Sequence, residues 1–111
     1  MEENILNERN RTNRIELVLT DAYDEDEQDE AFCCYLGDYI KFPFMAKFRG
    51  TKNSEIFKVL KFTSLTPHRV ICESKFCGKL IRTSLSEIEP ISKNSDNSTI
   101  IEDYLSYIGN L

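Results

Sequence analysis

Phe32, Tyr35, Leu36, Tyr39 and Ile40 recur at three- and four-residue intervals, which lays one apolar stripe along a helix. The stripe predicts a helix from about Asp24 to about Tyr39, with Asp24 and Glu27 at the spacing of a capping box. Phe42-Pro43-Phe44 ends it, because proline can neither donate a backbone hydrogen bond nor fit a helix interior. Upstream, Ile15-Glu16-Leu17-Val18-Leu19 is β-prone and predicts a short strand or an extended lead-in. Downstream, alternation replaces helical spacing, with candidate strands at Met45–Arg49, Glu55–Thr63, Arg69–Ser74 and Lys79–Arg82. Gly50 with Thr51-Lys52-Asn53, then Thr66-Pro67, then Gly78 supply the turns between them. Ser84–Ile91 reads as a short helical turn, and residues 92–98 as a polar linker. A last helix is expected from about Thr99 to Ile108, where Thr99 and Glu102 hold capping-box spacing. Ile101, Tyr104, Leu105 and Ile108 form its stripe, and Gly109 suits its end.

These elements predict an α+β fold: an N-terminal acidic helix, a small bent antiparallel sheet or SH3-like barrel, and a C-terminal helix. Residues 1–14 are polar and read as a flexible leader before a single domain over 15–111. The chain has 111 residues, 41% of them hydrophobic, enough for one modest core. No apolar run approaches the ~18 residues of a membrane span, and the first residues lack the apolar stretch of a secretory signal. The expected setting is therefore cytoplasmic. Cys33, Cys34, Cys72 and Cys77 do not pair at zinc-knuckle spacing, and adjacent residues on a helix point ~100° apart. They read as small buried hydrophobes.

Charge changes the picture. The chain carries 19 acidic and 14 basic residues, for a net charge of −5. Seven of the acids are Asp21, Asp24, Glu25, Asp26, Glu27, Asp29 and Glu30. Without them the balance is 12 acidic against 14 basic, or +2. The negative charge is a local device on a near-neutral domain. Crowded carboxylates repel, and they face a cation, a basic partner or bulk solvent.

The run is not an EF-hand. Starting the loop at Asp24 puts Asp29 where the turn glycine belongs and Tyr35 where the bidentate glutamate belongs. On a helix, Asp24, Glu25, Gln28 and Asp29 continue toward the apolar side, while Asp26, Glu27 and Glu30 lie opposite. Asp26–Glu30 and Glu27–Glu30 are like-charge neighbours, each costing about 0.2–0.5 kcal/mol. A divalent cation relieves that repulsion. Calcium suits it best, because it accepts six to eight oxygens in loose geometry, whereas magnesium wants a tight octahedron and keeps its water. A site this exposed is expected to bind weakly, on the order of 10⁻⁵ to 10⁻³ M. A solvated helix face and an acidic surface that docks a basic protein partner remain open beside it.

The string Asp-Ala-Tyr-Asp-Glu-Asp-Glu-Gln at 21–28, Tyr35-Leu36, and Phe-Pro-Phe-Met-Ala-Lys at 42–47 resemble the cyanobacterial calcium-binding protein (CcbP-type) family. Leu85–Pro90 and Ile101–Tyr104 extend the resemblance over nearly the whole chain from about residue 15. It implies a non-EF-hand calcium buffer or modulator rather than an enzyme. The metal ligands it implies are Asp21, Asp24, Glu25, Asp26 and Glu27, with Gln28 as a carbonyl donor. Glu102 and Asp103 match a later acidic pair, readable as completing a site or as a solvated face. Relatives are more acidic across the barrel. Here Lys41, Lys47, Arg49, Lys52, Lys58 and Lys61 argue for one or two ions rather than many.

No catalytic constellation accompanies this. His68 is the single histidine and falls in an expected turn, without a nucleophile paired to it by spacing. The bases outside 21–30 form no stripe along the chain, so nucleic acid is not expected as a partner. A monomer is expected.

Overall fold

The computed structural model describes residues 5–50, 55–67 and 69–109. A 3-10 turn at Ile5–Asn7 leads into helix α1 (Arg11–Val18), followed by helix α2 (Glu25–Tyr39). Strands β1 (Phe44–Phe48), β2 (Phe57–Thr66), β3 (Arg69–Phe76) and β4 (Lys79–Ser84) follow. After a 3-10 turn at Leu85–Glu87 come β5 (Ile88–Pro90) and helix α3 (Asp96–Gly109). The sheet is antiparallel, in the order β4-β3-β2-β1-β5. The α+β architecture expected from the periodicity is the one observed.

Three local expectations differ. Residues 15–19 do not form a strand; most of them lie in α1, which starts where Asn10 accepts the Asn13 N–H at 3.0 Å. Ile15, Val18 and Leu19 pack against the core, and Arg14 in the expected leader is itself buried. Tertiary packing overrides the β propensity of this stretch. Second, α3 begins at Asp96 rather than Thr99, because Ser95 Oγ accepts the Ser98 N–H at 3.2 Å. The Thr99/Glu102 box is therefore interior to the helix, and Asn97 and Ser98 of the expected linker are buried. Third, β5 was not anticipated. It is three residues long, contains Pro90, and owes its strand character to pairing with β1. The expected turn residues Thr51, Lys52 and Asn53, and His68, lie outside the described residues.

The core is one cluster between the sheet and the helices. Phe32, Tyr35, Leu36 and Ile40 of α2 and Ile100 and Ile101 of α3 meet Ala46, Phe57, Val59, Val70 and Cys72 of the sheet. Register irregularities between Val59 and Lys61, and between Phe62 and Ser64, bend β2 over this core. Asn97 secures the α2–β1 connection, accepting the Lys41 N–H at 2.9 Å and donating to the Lys41 carbonyl at 2.8 Å. At the β3–β4 hairpin, Cys77 (φ 50°) and Gly78 (φ 77°) are both left-handed, as a two-residue type I′ turn requires.

All four cysteines are free thiols, but only Cys72 is fully buried; Cys34 and Cys77 are exposed, and Cys33 is intermediate. The reading of all four as packing residues thus holds for Cys72. Burial pushes its thiol up to about 12 from an ordinary 9. Because the folded value is raised, its contribution to stability is complete below pH 9 and is lost as the pH rises from 9 toward 12. The urea midpoint is expected to fall over that window, and to fall less steeply in Cys72→Ala. In native protein at neutral pH a thiol reagent should label Cys34 and leave Cys72 untouched until unfolding.

Candidate cation-binding surface

The acidic run begins in the link between the first two helices. Its turn is closed by the Ala22 N–H donating to the Leu19 carbonyl at 3.0 Å. Asp24 then caps α2, its Oδ1 accepting the Glu27 N–H at 2.8 Å. Glu27 reaches back, its Oε2 accepting the Tyr23 N–H at 3.1 Å. This is the expected capping pair, shifted one residue outward at its second bond. Glu25, Asp26 and Glu27 occupy the first helical turn, where the dipole favours carboxylates. Each cap bond uses one carboxylate oxygen and leaves the other open to a cation.

Asp21, Asp24, Glu25, Asp26 and Glu27 are exposed, and Gln28 is half-buried. The division of the acids into two sides is partly as expected. Asp21, Glu27 and Glu30 line a groove of about 290 Å³ against Leu17, Val18 and Cys34. Glu27 and Glu30 thus face the end of α1 rather than open solvent alone. On the other flank of α2, Glu25 and Asp29 line a cleft of about 220 Å³ with Tyr104 and Tyr107. Tyr107 donates its hydroxyl to Asp29 Oδ1 at 2.6 Å and stacks on Phe32 with ring centroids 4.1 Å apart. Burial first, then the hydrogen bond to Asp29, raises the Tyr107 phenol well above its usual value. Tyr104 is raised too, by burial first and then by its neighbours Cys33 (once ionised) and Asp29.

Glu102 and Asp103 do not join these acids. Glu102 Oε1 is 3.1 Å from Arg49 Nη1. Asp103 is fully buried, and accepts from Arg14 Nε and Nη2, each at 2.8 Å, and from the Tyr35 hydroxyl at 2.8 Å. Arg11 adds an ion pair at 3.4 Å. This cluster joins the three helices. No local pattern announces it, since Arg14 sits in a polar segment and its partner is 89 positions away.

The donor set fits calcium chemically. It consists of carboxylate oxygens and one side-chain amide, and none of the seven acids from Asp21 to Glu30 makes an ion pair among the described residues. Among those residues no three His, Cys, Asp or Glu side chains are already converged on one point. No described helix is long and apolar enough to cross a membrane.

The chain is thus a small α+β domain that carries exposed carboxylates on the start of one helix. Residues 13–108 match the sequence profile of the CcbP calcium-binding family, and the chain belongs to that family. Two solved structures share the fold. The crystal structure of Anabaena CcbP is 28% identical, with 97% of this chain and 93% of that chain covered and a TM-score of 0.69. A calcium-binding protein in its calcium-binding form is 26% identical, with 98% and 97% covered and a TM-score of 0.70. A comparison with curated proteins gave no match.

Proposed function

We propose that this chain binds Ca²⁺ through the exposed oxygens of Asp21, Asp24, Glu25, Asp26 and Glu27 and the amide carbonyl of Gln28, as a buffer or modulator. The observation that carries this is the placement of these donors. They crowd the link and first turn of one helix, and among the described residues no basic side chain pairs with them. Calcium supplies the missing charge. Though close together, their oxygens do not yet converge on one point, so binding requires several side chains to rotate together, at an entropy cost. That supports affinity in the weak range, on the order of 10⁻⁵ to 10⁻³ M. Arg49 and Arg14 hold Glu102 and Asp103, which keeps the site local to α2 and favours one or two ions. The reading is of a binding protein, not of an enzyme.

Calorimetric titration of calcium in a millimolar magnesium background tests it. The wild type should take up calcium, and Asp24→Asn/Asp26→Asn should weaken uptake by about tenfold or more. Asp24→Asn keeps the helix cap, because asparagine caps as well as aspartate. No uptake by the wild type removes the calcium reading. Unchanged uptake in the double variant moves the site away from these two acids.

A further inference from the structure

Paired residues of an antiparallel ladder share a face, and alternate residues along a strand share it too. The register therefore places Lys47, Lys58, Lys61, Arg69, Lys75 and Arg82 on one face of the sheet. Glu73 and Glu89 lie on the same face, so its balance is six cations minus two acids, or +4. Lys61 meets Glu73 at 3.8 Å and Lys47 meets Glu89 at 3.3 Å. Lys58, Arg69, Lys75 and Arg82 are exposed and make no ion pair among the described residues. Arg69 and Arg82 line a cleft of about 240 Å³ with Thr63, Ser64 and Ile71. Along the sequence these bases looked thinly spread; folding β2, β3 and β4 together gathers them.

This face points away from the helices, since the other side of the sheet carries the core that α2 and α3 cover. The unpaired acids of Asp21–Glu30 are on the helical layer. One chain thus displays an unneutralised cationic face and an unneutralised anionic segment on different layers. Among the described residues no ion pair joins them.

We propose that the β2–β3–β4 face is the docking site for the Asp21–Glu30 segment of a second copy of this chain, and that calcium releases the contact. The complementarity is direct, +4 against seven acids. The acids lie on α2 and on the link before it, and Asp21, Asp24, Glu25, Asp26, Glu27 and Glu30 are exposed, so an open sheet face can reach them. Repulsion between whole molecules of charge −5 acts at long range and is largely screened beyond about 8 Å at physiological salt, whereas pairs in contact are screened less. Among the described residues the exposed sheet face carries Met45, Ile71 and Leu80 but no aromatic side chain for base stacking, which disfavours single-stranded nucleic acid. Such a contact is head-to-tail, and it weakens with added salt. Its release by calcium rests on the reading of Asp21–Glu30 as the calcium site; the contact itself does not.

Sedimentation velocity on the full chain tests it, in chelator at physiological ionic strength. The weight-average sedimentation coefficient should rise with protein concentration, then fall to the monomer value in high sodium chloride or in millimolar calcium. Arg69→Glu/Arg82→Glu and Asp26→Lys/Glu30→Lys should each weaken association at least about tenfold. An equimolar mixture of the two variants should associate again, which a damaged fold would not do. Association that persists in either variant alone overturns the proposal, as does a wild type that stays monomeric. A monomer that instead shifts duplex DNA overturns it in favour of a nucleic-acid surface. Calorimetry on Arg69→Glu/Arg82→Glu should show wild-type calcium uptake. If the wild type binds no calcium but still associates, the calcium reading fails and the contact stands. If it binds calcium and stays associated, release by calcium is overturned.

Discussion

Asp103→Ala should lower the stability of this domain by about 3–5 kcal/mol, the usual cost of removing one partner from a buried ion pair. A domain of 111 residues is stable by roughly 5–15 kcal/mol, so the loss approaches the whole margin. The physical reason is the group left behind. Arg14 is 6% exposed, and its Nε and Nη2 lose both of their carboxylate acceptors at once. Nη1 keeps the Glu8 carbonyl at 2.7 Å, which holds the guanidinium in place without neutralising it. The Tyr35 hydroxyl is orphaned too. Urea unfolding followed by tyrosine fluorescence measures the loss. Arg14→Met/Asp103→Leu should recover much of it, because two apolar groups of similar volume need no partner. A loss below about 1 kcal/mol in Asp103→Ala would mean that water replaces the carboxylate and that the cluster is not dry.

The same cluster shows what the sequence concealed. Helix α2, four strands and the position of the acidic segment were legible because each is encoded by neighbours: a three-four stripe, a two-residue alternation, a cap followed by glutamates. Residues 15–19 were misread for the opposite reason. Their β-branched and leucine content describes local propensity, and α1 is decided by Arg14 meeting Asp103 across 89 positions. The strand β5 was hidden likewise, since three residues ending in proline carry no alternation and acquire their identity from β1.

The candidate site divides in the same way. Asp21 to Gln28 could be named from the chain because the acids are consecutive. That Glu102 and Asp103 are occupied by arginines could not, since Arg49 just past the end of β1 and Arg14 on α1 reach α3 only through tertiary packing. Asp29 lies just past the resembling string at 21–28, and in the structure it accepts the Tyr107 hydroxyl. The cationic sheet face is a further case. Lys58, Lys75 and Arg82 are far apart in sequence, and their shared face follows from the register of three strands.

Phe32→Ala is the second large effect, about 3–5 kcal/mol, and it connects the core to the acidic surface. Phe32 is 1% exposed and lies between two aromatic partners, edge-on to Tyr35 at 5.9 Å and stacked on Tyr107 at 4.1 Å. Removing the ring deletes the packing of α2 against the last turns of α3 and leaves a cavity that both helices resist filling. Phe32→Leu keeps most of the volume and should cost less than half as much. The stack also positions the Tyr107 hydroxyl over Asp29, the residue that follows the proposed ligand Gln28. A double-mutant cycle of Phe32→Leu with Tyr107→Phe should therefore show a coupling of about 0.5–1.5 kcal/mol, because the two rings act as a unit. Calcium affinity measured in Phe32→Leu separates the roles. If Asp21–Gln28 binds the ion locally, affinity stays within about twofold of the wild type while stability falls. A tenfold loss would place Asp29, and the helix pair that holds it, inside the site.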